Sequence, residues 1–192
     1  MMQAMIFAAG LGTRLKPLTD SIPKALVEVG GETLLQRTIE RLKACGVKSM
    51  VINVHHFAQA IVDYLQANNN FGVEIAVSDE TQHLLDTGGG LKKAAQLFSP
   101  TANILIHNVD IISNVDLQAF YAHQAQSDAL LLVSQRETKR YLLFNDDMRL
   151  VGWTNVETGE VRSPYPNLNP QTCKKLAFAC LLYTSDAADE ED

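Results

Sequence analysis

The stretch Ala4-Met5-Ile6-Phe7-Ala8-Ala9-Gly10-Leu11-Gly12-Thr13 decides the fold. It begins with a short, continuous apolar run, Ala4 to Ala8, and ends in a glycine-rich turn. A short apolar run that ends at glycines is typical of a strand buried on both faces, because a strand with one exposed face would alternate apolar and polar residues. The stretch therefore predicts a buried strand followed by a loop whose backbone N–H groups can approach a ligand closely.

Beyond this strand, apolar runs alternate with amphipathic segments. Helical spacing of apolar residues is clearest from Leu34 to Cys45, where Gly46 follows as a C-cap. The other predicted helices are Ala58 to Ala67, Leu91 to Leu97 and Leu117 to Gln126. The other predicted strands are Met50 to Val54, Val73 to Val77, Asn103 to His107 and Ala129 to Val133. This alternation predicts an α/β fold of the Rossmann-like, doubly wound kind, with a mostly parallel sheet and helices on both faces.

The pattern changes after Tyr141. Two short alternating pieces, Tyr141 to Phe144 and Leu150 to Trp153, are separated by the turn-forming residues Asn145-Asp146-Asp147. They predict hairpin-like strands over one edge of the sheet.

The charge distribution argues against nucleic acid and membranes as partners. The formal net charge of the 192 residues is -6, from 16 basic and 22 acidic side chains. Five of the acids lie between Asp186 and Asp192 with no base among them, so the rest of the chain is nearly neutral. It contains no basic stripe, no polybasic amphipathic helix and no apolar run long enough to span a membrane. With no secretory leader at its start, the chain is expected to be cytoplasmic.

In parallel α/β sheets ligands bind beyond the carboxyl ends of the strands, so the loop after Ala8 is the first place to look. Its glycines let backbone N–H groups approach an anion, while Arg14 and Lys24 bring two cations, which indicates a polyphosphate site. No Gly-Lys-Ser/Thr follows the glycines, as a Walker A loop requires. The third glycine of the dinucleotide fingerprint is replaced by Leu15, which disfavours a dinucleotide oxidoreductase.

The whole pattern, G-x-G-T-R-L-x-P-L-T with P-K downstream, resembles the signature of the sugar-1-phosphate nucleotidyltransferases. The matching residues are Gly10, Gly12, Thr13, Arg14, Leu15, Pro17, Leu18, Thr19, Pro23 and Lys24. The resemblance implies a GT-A-like nucleotidyltransferase fold. It also implies a reaction in which a nucleoside triphosphate and a sugar 1-phosphate give a nucleotide-sugar and pyrophosphate.

The resemblance assigns roles to the first loop. Arg14 would hold the β- and γ-phosphates and the leaving pyrophosphate. Lys24 would face the α-phosphate and the incoming sugar phosphate. The nucleotide-binding residues of this loop would be Ala8, Ala9, Gly10, Gly12 and Thr13.

Two later segments agree with the same family. The stretch Leu85 to Gly90, preceded by Glu80, resembles its second nucleotide loop, which opens a helix and would bind nucleotide through Glu80, Thr87, Gly88 and Gly89. At the end of a later strand, His107-Asn108-Val109-Asp110 resembles the family's N-G-D, so Asn108 would contact substrate and Asp110 would bind the catalytic Mg²⁺. Val109 in place of glycine departs from that pattern. A substrate contact from Asn53 or His55 is left open.

The chain's last residues are expected not to belong to the domain. Cys180 to Glu190 resembles the translation of a transposon-end adapter used in sequencing libraries, so we expect a partial catalytic domain over residues 1–179 and a non-native tail over 180–192. The fold would then be incomplete at its C-terminus. A real acidic terminus is the alternative. Two rival functions also stay open: a phosphocholine-type cytidylyltransferase and a non-catalytic nucleotide-sugar-binding module.

Overall fold

The computed structural model describes residues 2–123 and 129–183. These residues form two compact units, the first comprising residues 2–123, 129–130 and 181–183 and the second residues 131–180. The predicted tail beyond residue 183 and the predicted end of the helix at Gln126 lie outside the described residues.

The strands in chain order are β1 (Gln3–Phe7), β2 (Glu28–Val29), β3 (Glu32–Thr33), β4 (Ser49–Val54), β5 (Glu74–Asp79), β6 (Ile104–Asn108), β7 (Ala129–Ser134), β8 (Arg140–Phe144), β9 (Leu150–Asn155), β10 (Val161–Arg162) and β11 (Lys174–Tyr183). The α-helices are α1 (Leu34–Ala44), α2 (Ala58–Ala67), α3 (Asp86–Ala94) and α4 (Leu117–Ala122). Short 3₁₀ turns cover Thr13–Leu15, Leu18–Asp20, Lys24–Leu26, Asn69–Gly72 and Ala95–Leu97. In the described part of the chain, no helix is both long and apolar enough to cross a membrane.

The first unit is built on a parallel sheet in the order β6-β1-β4-β5. The last residues of β11, Leu181–Tyr183, pair antiparallel with β6. Strand β1 lies between β4 and β6, and its last residue, Phe7, stands opposite Asn53 on one side and Asn108 on the other. The carboxyl ends of these three strands therefore meet at one edge of the sheet.

Helices cover both faces of this sheet. One face packs Ile6, Ile52 and Leu105 against residues of α1, α2 and α4, including Leu35, Ile39, Leu42, Ile61, Leu65 and Leu117. The other face packs Met5, Val51 and Ile106 against Ala94 of α3. Both faces of the strands are thus buried, which is why their sequences read as continuous apolar runs. The predicted α/β fold, with a mostly parallel sheet and helices on both faces, is confirmed.

The second unit is antiparallel. Strands β8 and β9 form the predicted hairpin, with an irregularity between Leu143 and Phe144. Strand β10 pairs with β9, and the first residues of β11 pair with β8. The Arg162 guanidinium lies 5.3 Å from the centre of the Trp153 ring, a cation–π distance.

Several boundaries differ from the sequence-based expectation. Helix α3 begins at Asp86 rather than at Leu91, so Gly88, Gly89 and Gly90 lie inside its first turns. The small hairpin of β2 and β3, and strands β10 and β11, were not expected. The expected boundary between residues 179 and 180 falls within β11.

The buried histidine of β6 is an ionisable group with a shifted pKa. His107, on β6, is 2% exposed, and its Nδ1 lies 2.7 Å from the carbonyl oxygen of Asn108. Burial lowers the pKa of His107, because the charged imidazolium loses its hydration; the Arg41 charge acts in the same direction, whereas the carbonyl of Asn108 and the Asp110 carboxylate oppose it. The native state therefore favours the neutral imidazole.

We expect this histidine to make folding stability depend on pH. The unfolded chain binds the proton more readily than the native chain, so the free energy of unfolding should decrease as the pH falls below about 6.5, the ordinary histidine pKa. His107→Gln, which removes the titration, should flatten this slope between about pH 7.5 and 5.5, measured by urea unfolding. The exposed His56 provides the control, since His56→Gln should keep the wild-type slope. Equal slopes in wild type and His107→Gln would contradict the assignment.

Candidate active site

The polar residues that follow the buried strands meet at the carboxyl edge of the first unit's sheet. The loop after β1, the end of β4 and the segment after β6 are adjacent because β1 is hydrogen-bonded to both neighbours. The N–H of Val109 also donates to the carbonyl oxygen of Phe7 at 3.2 Å, which continues the pairing past the end of β6. This edge is where ligands bind in open α/β sheets.

Gly12 organises the loop after β1. Its φ of +65° lies in the left-handed region, and a Cβ built on it would stand 2.9 Å from Thr19 Cγ2 and 3.1 Å from Lys24 Cβ. Its carbonyl oxygen accepts hydrogen bonds from the N–H of Leu15 at 2.8 Å and the hydroxyl of Thr19 at 2.9 Å. The position therefore requires glycine on two grounds, conformation and space.

The packing around Gly12 brings Lys24 into the centre of the site. Its Nζ lies 3.1 Å from Asp110 Oδ2, and the two side chains are 15% and 29% exposed. A Cβ built on Gly10 would stand 3.5 Å from the same Nζ, so the ammonium group lies alongside the glycine backbone. The structure thus joins three expected site residues, Gly10, Lys24 and Asp110, that are far apart in the sequence.

Arg14 and Thr13 lie at the surface of the same loop. Both are exposed and belong to the 3₁₀ turn Thr13–Leu15. Within the ranges that the structure describes, Arg14 forms no ion pair, and no hydrogen bond joins it to Lys24 or Asp110. Its guanidinium is therefore open to an anion in solvent.

Ala8 and Ala9 are held from behind by a side chain of β4. Both alanines are buried, and their N–H groups donate to Asn53 Oδ1 at 2.8 Å and 3.4 Å. The amide nitrogen of Asn53 donates to Glu80 Oε1 at 2.8 Å. Glu80 is 1% exposed, and its second oxygen accepts the N–H of Leu85 at 3.1 Å. Both carboxylate oxygens of Glu80 therefore have protein partners.

The second loop leads directly into α3. Thr87 and Gly88 are exposed in the first turn of the helix, and Gly89 is half-buried. Just before this loop, the exposed Asp79 carboxylate accepts the N–H of Thr81 at 2.8 Å, which lowers the pKa of Asp79. The exposed helix start offers N–H groups that have no partner within the helix, a setting that suits an electron-rich ligand.

The segment after β6 places a single carboxylate at the edge. Asn108 is half-buried, Val109 is 1% exposed and packs in the core, and Asp110 faces Lys24. Residues 2–123 and 129–183 contain no group of three or more His, Cys, Asp or Glu placed to hold a metal ion. A metal here would have one protein carboxylate and would need other oxygen ligands.

Sequence reasoning gave little weight to Asn53 and none to Gly90. The signal for Asn53 was an amide at the end of the apolar strand Met50-Val51-Ile52, a position where a core residue is expected. Gly90 is one of three consecutive glycines, and the sequence alone does not show that a Cβ there would stand 2.8 Å from Glu80 Oε1. Contacts of this kind join residues that no local pattern connects.

The chain is similar to proteins of known activity. Over 111 residues it is 44% identical to N-acetylmuramate alpha-1-phosphate uridylyltransferase from Caulobacter vibrioides, a match that covers 57% of this chain and 46% of the relative. Over 120 residues it is 38% identical to the enzyme of the same name from Neisseria meningitidis serogroup B, covering 62% and 52%. The match spans about half the length of these curated relatives.

Among solved structures, the fold is similar to that of HddC from Yersinia pseudotuberculosis complexed with GMP-PN. The TM-score is 0.76 at 21% identity, covering 100% of this chain and 80% of that one. The family described as nucleotidyl transferase matches residues 3–144, which include every residue of the site. The chain therefore belongs to the nucleotidyl transferase family.

Proposed function

We propose that this chain carries the nucleotide-binding part of a sugar-1-phosphate nucleotidyltransferase. The observation that carries the proposal is the Lys24 ammonium, 3.1 Å from Asp110 and beside the backbone of Gly10, at the carboxyl edge of a parallel sheet. A cation, a carboxylate and a glycine backbone at one edge suit a phosphate chain. Residues 1–179 are proposed as the catalytic part of the sequence.

In the proposed reaction, an oxygen of the sugar 1-phosphate attacks the α-phosphorus of a nucleoside triphosphate. A new P–O bond forms, the bond from the α-phosphorus to the bridging oxygen breaks, and pyrophosphate leaves with that electron pair. The attacking phosphate oxygen needs no deprotonation. Catalysis then depends on positioning the two phosphates and neutralising their charge, not on covalent chemistry.

The residues of the site are assigned to different groups of the two substrates. Lys24 binds the α-phosphate and the incoming sugar phosphate, while the exposed Arg14 binds the β- and γ-phosphates and the departing pyrophosphate. The nucleotide contacts are assigned to Ala8, Ala9, Gly10, Gly12, Thr13, Thr87, Gly88 and Gly89. Glu80, the remaining residue expected from the resemblance, is 1% exposed, and its carboxylate contacts Asn53 and Leu85 instead. Asn108 is assigned to the sugar phosphate.

The carboxylate of Asp110 suits Mg²⁺. It is a hard oxygen ligand, 29% exposed, and its present partner is a cation, so the position already favours positive charge. Mg²⁺ commonly takes one or two carboxylates and completes its shell with phosphate oxygens and water. When bound, the ion would neutralise charge on the phosphates of both substrates.

The named relatives suggest the first substrates to test. Two are N-acetylmuramate alpha-1-phosphate uridylyltransferases, so UTP with N-acetylmuramate α-1-phosphate is the leading pair. Pyrophosphate release should be measured with UTP, GTP and CTP against that acceptor, mannose 1-phosphate and phosphocholine. Release only with CTP and phosphocholine would indicate the cytidylyltransferase alternative. Nucleotide binding without release from any pair would indicate a binding module.

Replacing Arg14 should remove a charge that matters for turnover and not for folding. Arg14→Ala is expected to lower kcat by about 100-fold, the usual cost of losing one preorganised group that stabilises transition-state charge. The melting temperature should stay the same, because Arg14 is exposed. Lys16, in the same loop and paired at the surface with Asp20, provides the control: Lys16→Ala should keep turnover within about twofold of wild type. Near-normal turnover of Arg14→Ala would overturn its role.

Replacing the carboxylate at position 110 should change the dependence on Mg²⁺. Asp110→Asn keeps the size of the side chain but removes its charge, so kcat should fall by about 100-fold and the Mg²⁺ concentration for half-maximal rate should rise. Initial rates measured across a Mg²⁺ titration test both effects. The control is Asp63→Asn, an exposed position on α2. An unchanged Mg²⁺ optimum in Asp110→Asn would show that this carboxylate does not bind the ion.

A further inference from the structure

A pair of buried polar side chains lies between the two loops of the proposed nucleotide site. Asn53 is 2% exposed and Glu80 is 1% exposed, and they share a hydrogen bond of 2.8 Å. Asn53 holds the first loop through the N–H groups of Ala8 and Ala9. Glu80 holds the second loop through the N–H of Leu85, the residue just before α3. A continuous chain of hydrogen bonds therefore joins the two loops.

The backbone of Glu80 is fixed as firmly as its side chain. Its N–H donates to the carbonyl oxygen of Val54 at 2.7 Å, and its carbonyl oxygen lies 2.7 Å from His55 Nδ1. Glu80 is therefore held at its backbone by Val54 and His55 and at its carboxylate by Asn53 and Leu85. A side chain held at both ends transmits position better than one held by a single contact.

Gly90 closes the space above the pair. A Cβ at this position would stand 2.8 Å from Glu80 Oε1 and 3.2 Å from Asn53 Nδ2. The second turn of α3 thus packs directly onto the hydrogen bond between the two side chains. This close approach excludes water and explains why the helix accepts a glycine that lowers its intrinsic stability.

The hydrogen bonds of the pair have a fixed polarity. A carboxylate only accepts hydrogen bonds, and both groups that face Glu80, the Asn53 amide and the Leu85 N–H, are donors. Asn53 must accept on the side of Ala8 and donate on the side of Glu80. Replacing Glu80 by glutamine, or Asn53 by aspartate, therefore breaks this pattern of donors and acceptors. Either change alone leaves a buried group without its hydrogen-bond partner, which is costly.

We propose that Asn53 and Glu80 are positioning residues that set the distance and orientation of the two nucleotide loops without touching the nucleotide themselves. The inference rests on the proposed function for the identity of the ligand. It also assigns Glu80 an indirect part in nucleotide binding, because both its oxygens already have protein partners.

This polarity suggests a test in which the amide at position 53 becomes a carboxylate and the carboxylate at position 80 becomes an amide. Glu80→Gln places an amide donor against the donors that face position 80. Asn53→Asp places a second carboxylate against Glu80. In the double variant the new carboxylate at position 53 accepts from Ala8 and from the new amide at position 80, whose carbonyl accepts from Leu85. Every hydrogen bond and the net charge are then restored.

Nucleotide affinity is the first readout. The full chain, titrated calorimetrically with UTP, GTP and CTP in the presence of Mg²⁺, should show a Kd raised about tenfold or more in each single variant, the usual effect of breaking one hydrogen bond to a charged group. The double variant should return to within about threefold of wild type. Ser78→Ala is the matched control, because Ser78 lies opposite Asn53 on β5 and its buried hydroxyl has no partner in the described chain.

Amide hydrogen exchange is the second readout and needs no nucleotide. The N–H groups of Ala8 and Leu85 should exchange slowly in wild type, faster at both loops in each single variant, and slowly again in the double variant. A change confined to the loop next to the substitution would show that the pair does not couple the loops.

The outcomes distinguish a failure of the positioning role of Asn53 and Glu80 from a failure of the proposed function. If the single variants melt at lower temperature but bind nucleotide with the wild-type Kd when folded at 10 °C, the pair is only structural and the inference is overturned. If the double variant binds no better than the single ones, the proposed polarity is wrong. If the wild-type chain binds none of the three nucleotides, the proposed function fails. The amide hydrogen-exchange rates at Ala8 and Leu85 then decide alone whether the pair couples the loops.

Discussion

The register of the central strand is the constraint on which the site depends. Strand β1 is hydrogen-bonded on both sides, and its last residue, Phe7, stands opposite Asn53 and Asn108. A shift of β1 by one residue would turn every side chain to the other face of the sheet. Such a shift would exchange the side chains that β1 contributes to the two cores, and it would displace the glycine loop relative to Asp110. The packing of the helices on both faces therefore also determines where the loops begin.

Close approach of backbone to side chains is the second constraint, and two glycines meet it. Gly12 admits Thr19 and the stem of Lys24, which directs the ammonium toward Asp110. Gly90 admits the carboxylate of Glu80, which allows α3 to begin near the first loop. In both places the missing Cβ is what lets a charged group reach its partner. Packing thus requires these two glycines, independently of the access that they give to a ligand.

The fold was readable from the sequence because its strands are buried on both faces and its helices are amphipathic. Helix α2 has the expected bounds, Ala58–Ala67, since both its apolar spacing and its ends are local properties. Helix α3 was placed too late, because three consecutive glycines disfavour a helix by propensity, and here tertiary packing of Gly90 outweighs that preference. The motif residues were found by resemblance. Their connections, such as Lys24 with Asp110, join distant segments and could not be read from spacing.

The pairing of Lys24 with Asp110 affects how phosphate can be bound at this edge. A charge that is largely buried and unpaired is costly, and each of these two side chains compensates the charge of the other. In the proposed reaction an incoming phosphate competes with Asp110 for the ammonium, so binding exchanges one ion pair for another. Lys24 then contributes less to the affinity for phosphate than a lysine without a carboxylate partner would. The compensation is preorganisation, because the ammonium is already held where phosphate charge would accumulate, and no further ordering of its flexible side chain is required.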